Sequence, residues 1–178
     1  MFFTVGHGTR TLKEFRELLQ KYKIKTLVDV RSFTRSRHNP QFNKDKLEKY
    51  LKKYNINYIW IKSLGGRRPY NPESEHHTQL HTNSFRYYAG YMESKEFKDG
   101  IKELLQINEI KKNKNVCIMC AETLFWRCHR RLISDYLIKR KQVVYHIGIS
   151  KEPIKYTMWD IARSQGRNLI YDVKVLQR

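Results

Sequence analysis

The residues of this chain best equipped for chemistry fall into a few short strings. The densest is Cys120-Ala121-Glu122, followed at once by Trp126-Arg127-Cys128-His129-Arg130. Asp29 and Glu122 are the carboxylates placed for catalysis, each ending an apolar stretch among Arg and His. One such carboxylate can activate water or stabilise a cationic transition state; the alternative is an internal salt bridge to Arg31 or Arg130. Lys62 offers an amine able to form a Schiff base. If Cys128 opens a helix beside Arg127 and Arg130, the helix dipole and the positive charge favour its thiolate. Otherwise it is a small packing residue. His129 can serve as an acid–base group or a phosphate donor, or it can bond a carbonyl. Four possible metal ligands occur together: Cys117, Cys120, Cys128 and His129. Cys117 and Cys120 stand three apart in what reads as a strand, so they face opposite sides of a sheet, and no turn brings them together. No metal and no other cofactor is therefore expected, and Cys117 reads as core.

Anion binding is the second chemistry suggested. Nine arginines sit in or beside loops, at 10, 31, 35, 37, 67, 68, 127, 130 and 131, whereas most lysines lie on helix faces. A guanidinium holds phosphate or carboxylate through a planar fork. The residues expected to bind substrate are His7, Thr9, Arg10, Arg31, Arg35, Arg37, Arg67, Arg127 and Arg130, with Trp126 as a stacking platform for a base. The aromatics Phe85, Tyr87, Tyr88 and Tyr91 can also stack bases, although such spacing more often marks core. His76, His77 and His81 read as exposed.

These residues need a scaffold, and the hydrophobic pattern supplies one. Strands are expected at the start of the chain, at Thr26–Val30, Asn57–Ile61, Asn115–Cys120 and Val143–Ile147. Thr11 to Glu14 reads as a capping box opening a helix to about residue 23. Further helices are expected after Asn43, over Phe85–Met92, after Ser94, and from a start between Thr123 and His129. Residues 70–84 read as an irregular loop. Beyond residue 150 the pattern suggests a helix over Tyr156 to about Arg163 and a short strand over Leu169–Val175. The fold class is therefore α/β: a single domain with a mainly parallel open sheet and helices on both faces, residues 1–150 forming the domain and 151–178 an extension packed on it. In such sheets ligands bind beyond the carboxyl ends of the strands, where all four strings of chemical residues fall.

Composition limits the function classes. The chain has 178 residues, 36 Lys or Arg against 17 Asp or Glu, and a formal net charge of +19. A hydrophobic fraction of 40% is too high for a disordered basic tail. No apolar run is long enough for a membrane span. The start lacks the basic region of a signal peptide, and three cysteines do not make a disulfide framework, so a cytoplasmic protein is expected. The positive charge makes DNA or RNA the expected partner; oligomeric state is left open.

Several strings also resemble, in order and over about residues 2–147, the domain-of-unknown-function family 488. They are Thr4-Val5-Gly6-His7-Gly8-Thr9-Arg10, Leu27-Val28-Asp29-Val30-Arg31-Ser32, Arg35-Ser36-Arg37-His38-Asn39-Pro40-Gln41-Phe42, Leu64-Gly65-Gly66-Arg67, and Met119-Cys120-Ala121-Glu122 with Trp126-Arg127-Cys128-His129-Arg130. Gly8 stands where the family usually has Ser, and Thr34 where Pro is common. The resemblance implies a soluble α/β domain whose motif positions gather into one site, and it implies no reaction type. A link to DNA base damage suits the charge. The function expected is a nucleic-acid-acting enzyme, foremost a DNA glycosylase removing damaged bases, with Lys62 available for a lyase step. The alternatives are a small-anion pocket enzyme or binding domain with Cys128 as nucleophile, and a non-catalytic nucleic-acid-binding module.

Overall fold

Alternation of apolar side chains decides which face each strand buries. In the computed structural model, which describes residues 1–110 and 115–174, Phe2 of β1 (Phe2–Gly6) and Val116 and Ile118 of β4 (Asn115–Cys120) point to one side of the sheet, while Phe3, Val5, Cys117 and Met119 point to the other. Between them in sequence come β2 (Ile24–Asp29) and β3 (Asn57–Trp60), and after them β5 (Val144–His146) and the short β6 (Ile154–Lys155). The sheet order is β3-β2-β4-β1-β5-β6. The first five strands are parallel, and β6 is antiparallel to β5.

Two helices cover one face and three the other. Helix α1 (Leu12–Lys21) opens with the expected capping box: Thr11 Oγ1 accepts from the Glu14 amide and Glu14 Oε2 accepts from the Thr11 amide, at 3.2 and 2.7 Å. It buries Phe15 and Leu19, and α2 (Lys44–Lys52) buries Leu47 and Leu51, against the Phe3 side. Helices α3 (Asn83–Tyr91), α4 (Lys95–Ile110) and α5 (Arg130–Lys139) put Tyr88, Phe97, Ile101, Leu104, Leu132, Ile133 and Leu137 against the Phe2 side. The fold is the α/β architecture expected. The connections after β1 and β2 leave toward one face, and that after β4 toward the other. A crevice therefore opens at the carboxyl ends of β2 and β4.

Three expectations need correction. No helix forms over Tyr156–Arg163. After β6 the chain instead runs through an irregular stretch into a hairpin of β7 (Ala162–Gln165) and β8 (Asn168–Tyr171), turned at Gly166. Asp135 is the cause: its carboxylate accepts from Tyr156 Oη, the Trp159 amide and Tyr171 Oη at 2.7, 2.9 and 3.1 Å, which ties the irregular stretch and β8 to the rest of the domain. The expected strand Leu169–Val175 is realised as β8, and its last residue, Val175, lies outside the described residues. The loop at 70–84 contains a 3-10 turn over Pro72–His76, and His77 is buried rather than exposed, accepting at Nδ1 from the Tyr171 amide.

Candidate active site

Asp29 ends β2 with no exposed surface, and all its bonding capacity is used inside the protein. Its carboxylate accepts from Arg31 Nε at 3.0 Å, Arg31 Nη2 at 2.6 Å, the Arg31 amide at 2.9 Å and Tyr58 Oη at 2.5 Å. Burial and the adjacent Asp29 charge push the Tyr58 phenol up, so it stays a donor. Burial opposes the charge on Arg31, yet the bonds to Asp29 outweigh it and raise its pKa. Asp29 thus positions Arg31, which is the internal salt bridge named as the alternative to a catalytic role. Arg31 Nη1 reaches toward His7 Nε2 at 3.4 Å. His7 donates from Nδ1 to the Gly8 carbonyl at 2.7 Å and stacks on Phe42 with ring centres 4.1 Å apart. Burial lowers its pKa to about 4, so it brings no positive charge to the site at neutral pH, and it lies outside the lining of the cavity described below.

Two more expected anion ligands are spent inside the protein. Arg10 donates to the Gly6 carbonyl at 2.7 Å and to that of Gly148, clamping the turn after β1. Gly8 sits in this turn at φ +54°, a left-handed conformation that a serine would strain. Arg130 has no exposed surface; it bonds the Glu122 carbonyl, Thr4 Oγ1 at 3.2 Å and Cys128 Sγ at 3.4 Å. Thr9, Arg37 and Lys62 are exposed and lie outside the cavity described next, so no Schiff-base role is built on Lys62. Trp126 also lies outside it, 42% exposed and edge-on to Phe125.

The crevice beyond β2 and β4 holds an open cavity of about 580 Å³. Its walls come from four segments of three connections: Arg31 to Ser36 after β2, Gly66 and Arg67 and then Ser84 and Phe85 after β3, and Cys120 to Glu122 with Arg127 to His129 after β4. Arg35 approaches Asp45 only at 3.8 Å and is 84% exposed. The Arg67 guanidinium lies 5.5 Å from the exposed Phe33 ring. Neither the Arg67 nor the Arg127 side chain makes a hydrogen bond or ion pair among the described residues. Glu122 is the carboxylate that lines the cavity. It is exposed, and its Oε1 accepts from the Leu124 amide at 3.1 Å.

On the floor stand Cys120, Cys128 and His129. Cys128 does not open the helix, as expected, but precedes it in an extended conformation, because a 3-10 turn over Phe125–Arg127 intervenes and His129 is the N-cap of α5. Phe125 holds that turn by stacking on His146 at 3.6 Å. His129 Nε2 lies 3.0 Å from the Val30 carbonyl, which can only accept, so Nε2 carries a proton and Nδ1 is the nitrogen turned to the two thiols. Nδ1 is 3.6 Å from Cys128 Sγ and 4.0 Å from Cys120 Sγ. Burial works against ionising Cys128, but Cys120, His129 and Arg130 together hold its pKa well below the usual thiol value. The bond to Cys128, with burial, pushes Cys120 up. Gly66 makes this arrangement possible. A β-carbon there would overlap His129 Nδ1 and lie 2.7 and 2.9 Å from the flanking ring carbons, which places it over the ring face.

The sequence thus located the cavity's Arg31, Arg35, Arg67, Arg127, Glu122, Cys128 and His129. It missed Phe33 as a wall; Phe85, read as a possible stacking residue, is a wall, and Cys120, grouped with Cys128 among possible ligands but set aside on its spacing from Cys117, meets it on the floor. The aromatic set around Tyr88 is otherwise core, with Tyr88 buried and Tyr91 Oη donating to the Ser63 carbonyl. The only available clue to Cys120 was its register: facing away from Cys117 puts it on the α5 side. No described helix is long and apolar enough to cross a membrane. The model of a family described as a domain of unknown function, DUF488, matches residues 11–137. No curated protein and no solved structure matches.

Proposed function

The chain belongs to the DUF488 family, and from its site we propose that it is an enzyme acting on nucleic acid, one that draws a single base into the cavity and hydrolyses its bond to the sugar. One observation carries this reading: a single cavity is walled by Phe33 and Phe85, rimmed by Arg35, Arg67 and Arg127, and carries the carboxylate of Glu122. Aromatic walls accept the face of any base. Exposed guanidiniums at the rim suit the flanking phosphates, and extrusion of a base is the usual way to reach its buried bond. Glu122 takes a proton from the attacking water as the hydroxyl adds to the sugar carbon; the base leaves with the bonding pair and picks up a proton. The formal charge of +19 supplies the general attraction to a polyanion.

The test is incubation with duplex and single-stranded oligonucleotides, each carrying one oxidised or deaminated base. Base release that is abolished by Glu122→Gln supports the reading. Binding should weaken steeply with salt, and Arg67→Ala or Arg127→Ala should each lower the salt slope by about 1. Salt-sensitive binding without base release leaves a non-catalytic nucleic-acid module; binding indifferent to salt, with no base lost, removes the reading altogether. A second reading, a small-anion enzyme with Cys128 as nucleophile, is favoured by the place of that thiol on the cavity floor beside His129. It requires that inorganic phosphate slow the alkylation of Cys128 by iodoacetamide.

A further inference from the structure

We propose that Cys120, Cys128 and His129 form a zinc site with three protein ligands and one position open to the cavity. The ligand atoms of the three residues lie within 4.8 Å of one another. His129 Nδ1 stands 3.6 Å from Cys128 Sγ and 4.0 Å from Cys120 Sγ. A tetrahedral ion with zinc–sulfur bonds of about 2.3 Å and zinc–nitrogen bonds of about 2.0–2.1 Å separates its sulfur and nitrogen ligands by about 3.6 Å and its two sulfurs by about 3.8 Å. The ion therefore fits after the ligand atoms close by no more than about 1 Å.

The imidazole is already prepared for this role. Its far nitrogen is bonded to the Val30 carbonyl at 3.0 Å, the kind of outer partner that fixes the tautomer and ring direction of a zinc-bound histidine. Gly66 packs on the ring face and leaves the in-plane side of Nδ1 clear. Arg130 Nε donates to Cys128 Sγ at 3.4 Å, an N–H to sulfur bond of the sort that moderates a metal-bound thiolate. Two thiolates and a neutral imidazole balance a divalent ion, so the filled site carries no net charge beside Arg31 and Arg130. Soft thiolate ligands select zinc over magnesium, calcium or manganese. All three residues line the cavity, so the fourth position is left for water or a substrate atom, the pattern of catalytic rather than structural zinc. The local spacing of Cys117 and Cys120 argues against a metal only for that pair. Cys117 is fully buried on the opposite face and takes no part.

Metal binding is measurable without any substrate, so this inference stands or falls apart from the nucleic-acid reading. The untagged, reduced, full-length protein is stripped with a chelator and titrated with Co²⁺ and then Zn²⁺. One equivalent of Co²⁺ should give thiolate-to-metal charge-transfer absorption and intense tetrahedral bands, which one equivalent of Zn²⁺ abolishes. Cys120→Ser, Cys128→Ser and His129→Ala should each weaken Zn²⁺ binding more than about 100-fold, while Cys117→Ala leaves it unchanged. Should a variant fail to fold, the wild-type protein still decides: one equivalent of Zn²⁺ should protect Cys120 and Cys128 from iodoacetamide, read by peptide mass spectrometry. Absence of the charge-transfer bands, bands that survive both serine variants, or alkylation unaffected by Zn²⁺ would overturn the proposal.

Discussion

Asp29 and Glu122 look alike in sequence, each a carboxylate after an apolar strand, yet their surroundings give them opposite work. Asp29 is enclosed with Arg31 and Tyr58, so removing its charge leaves the Arg31 guanidinium buried without a counter-ion. Breaking such a pair typically costs about 3–5 kcal/mol. Asp29→Asn should therefore lower stability by that order in urea unfolding at neutral pH. A loss of activity with unchanged stability would show instead that Asp29 takes part in the chemistry. Glu122 is exposed on the cavity wall, so Glu122→Gln should change stability by no more than about 0.5 kcal/mol. Any effect of that substitution then belongs to the reaction.

At the level of elements, the site depends on three connections meeting over the ends of β2 and β4. The turn at Gly66, after β3, lies against His129 at the start of α5, and His129 in turn bonds the Val30 carbonyl just past β2. Gly66→Ala forces a carbon into the imidazole. The expected result is a displaced His129 and a lower melting temperature, while Gly166→Ala at the exposed β7–β8 turn meets no neighbouring atom and leaves His129 in place. An imidazole NMR signal for His129 that matches wild type in Gly66→Ala would refute the packing argument. The capping box of α1 makes a simpler case. Thr11→Ala should destabilise by about 1 kcal/mol without touching the cavity, checked by denaturation.

For the whole molecule, buried titratable groups set the response to acid. Burial lowers the pKa of His7 and His77 to about 4 and that of His146 to about 3. Unfolded histidine titrates near about 6.5. Below that pH the unfolded chain takes up protons that the folded chain refuses, so stability falls until the folded pKa values are passed. Asp135 works the other way. Burial raises its pKa to about 6, so its contribution is greatest below about 4 and is lost as pH rises through 6. Three imidazoles oppose one carboxyl, and the urea midpoint should drop between pH 6.5 and pH 4. His146→Asn should flatten that slope by roughly one proton. A midpoint constant over this range would contradict the burial of these imidazoles.

Periodicity and end signals were enough to specify the parallel sheet, the capped helices and the strand ends at which the chemical residues collect. That succeeded because the pattern of buried positions and the chemistry of helix starts are local, written within a few residues of each other. Which carboxylate faces a cavity is not local. Arg10, Arg31 and Arg130 share a residue type with Arg67 and Arg127, but only the packed structure decided that the first three bond carbonyls or Asp29 while the last two face solvent. The tail was misread for the same reason: Asp135, at a distance from it in sequence, supplies the acceptor that Tyr156 and Tyr171 both bond, in place of a helix. Cys120 and Cys128 lie on either side of a turn held by the stacking of Phe125 on His146, a long-range contact. Their meeting with His129 over Gly66 was therefore beyond any rule of spacing, since it depends on how three separate connections close over one edge of the sheet.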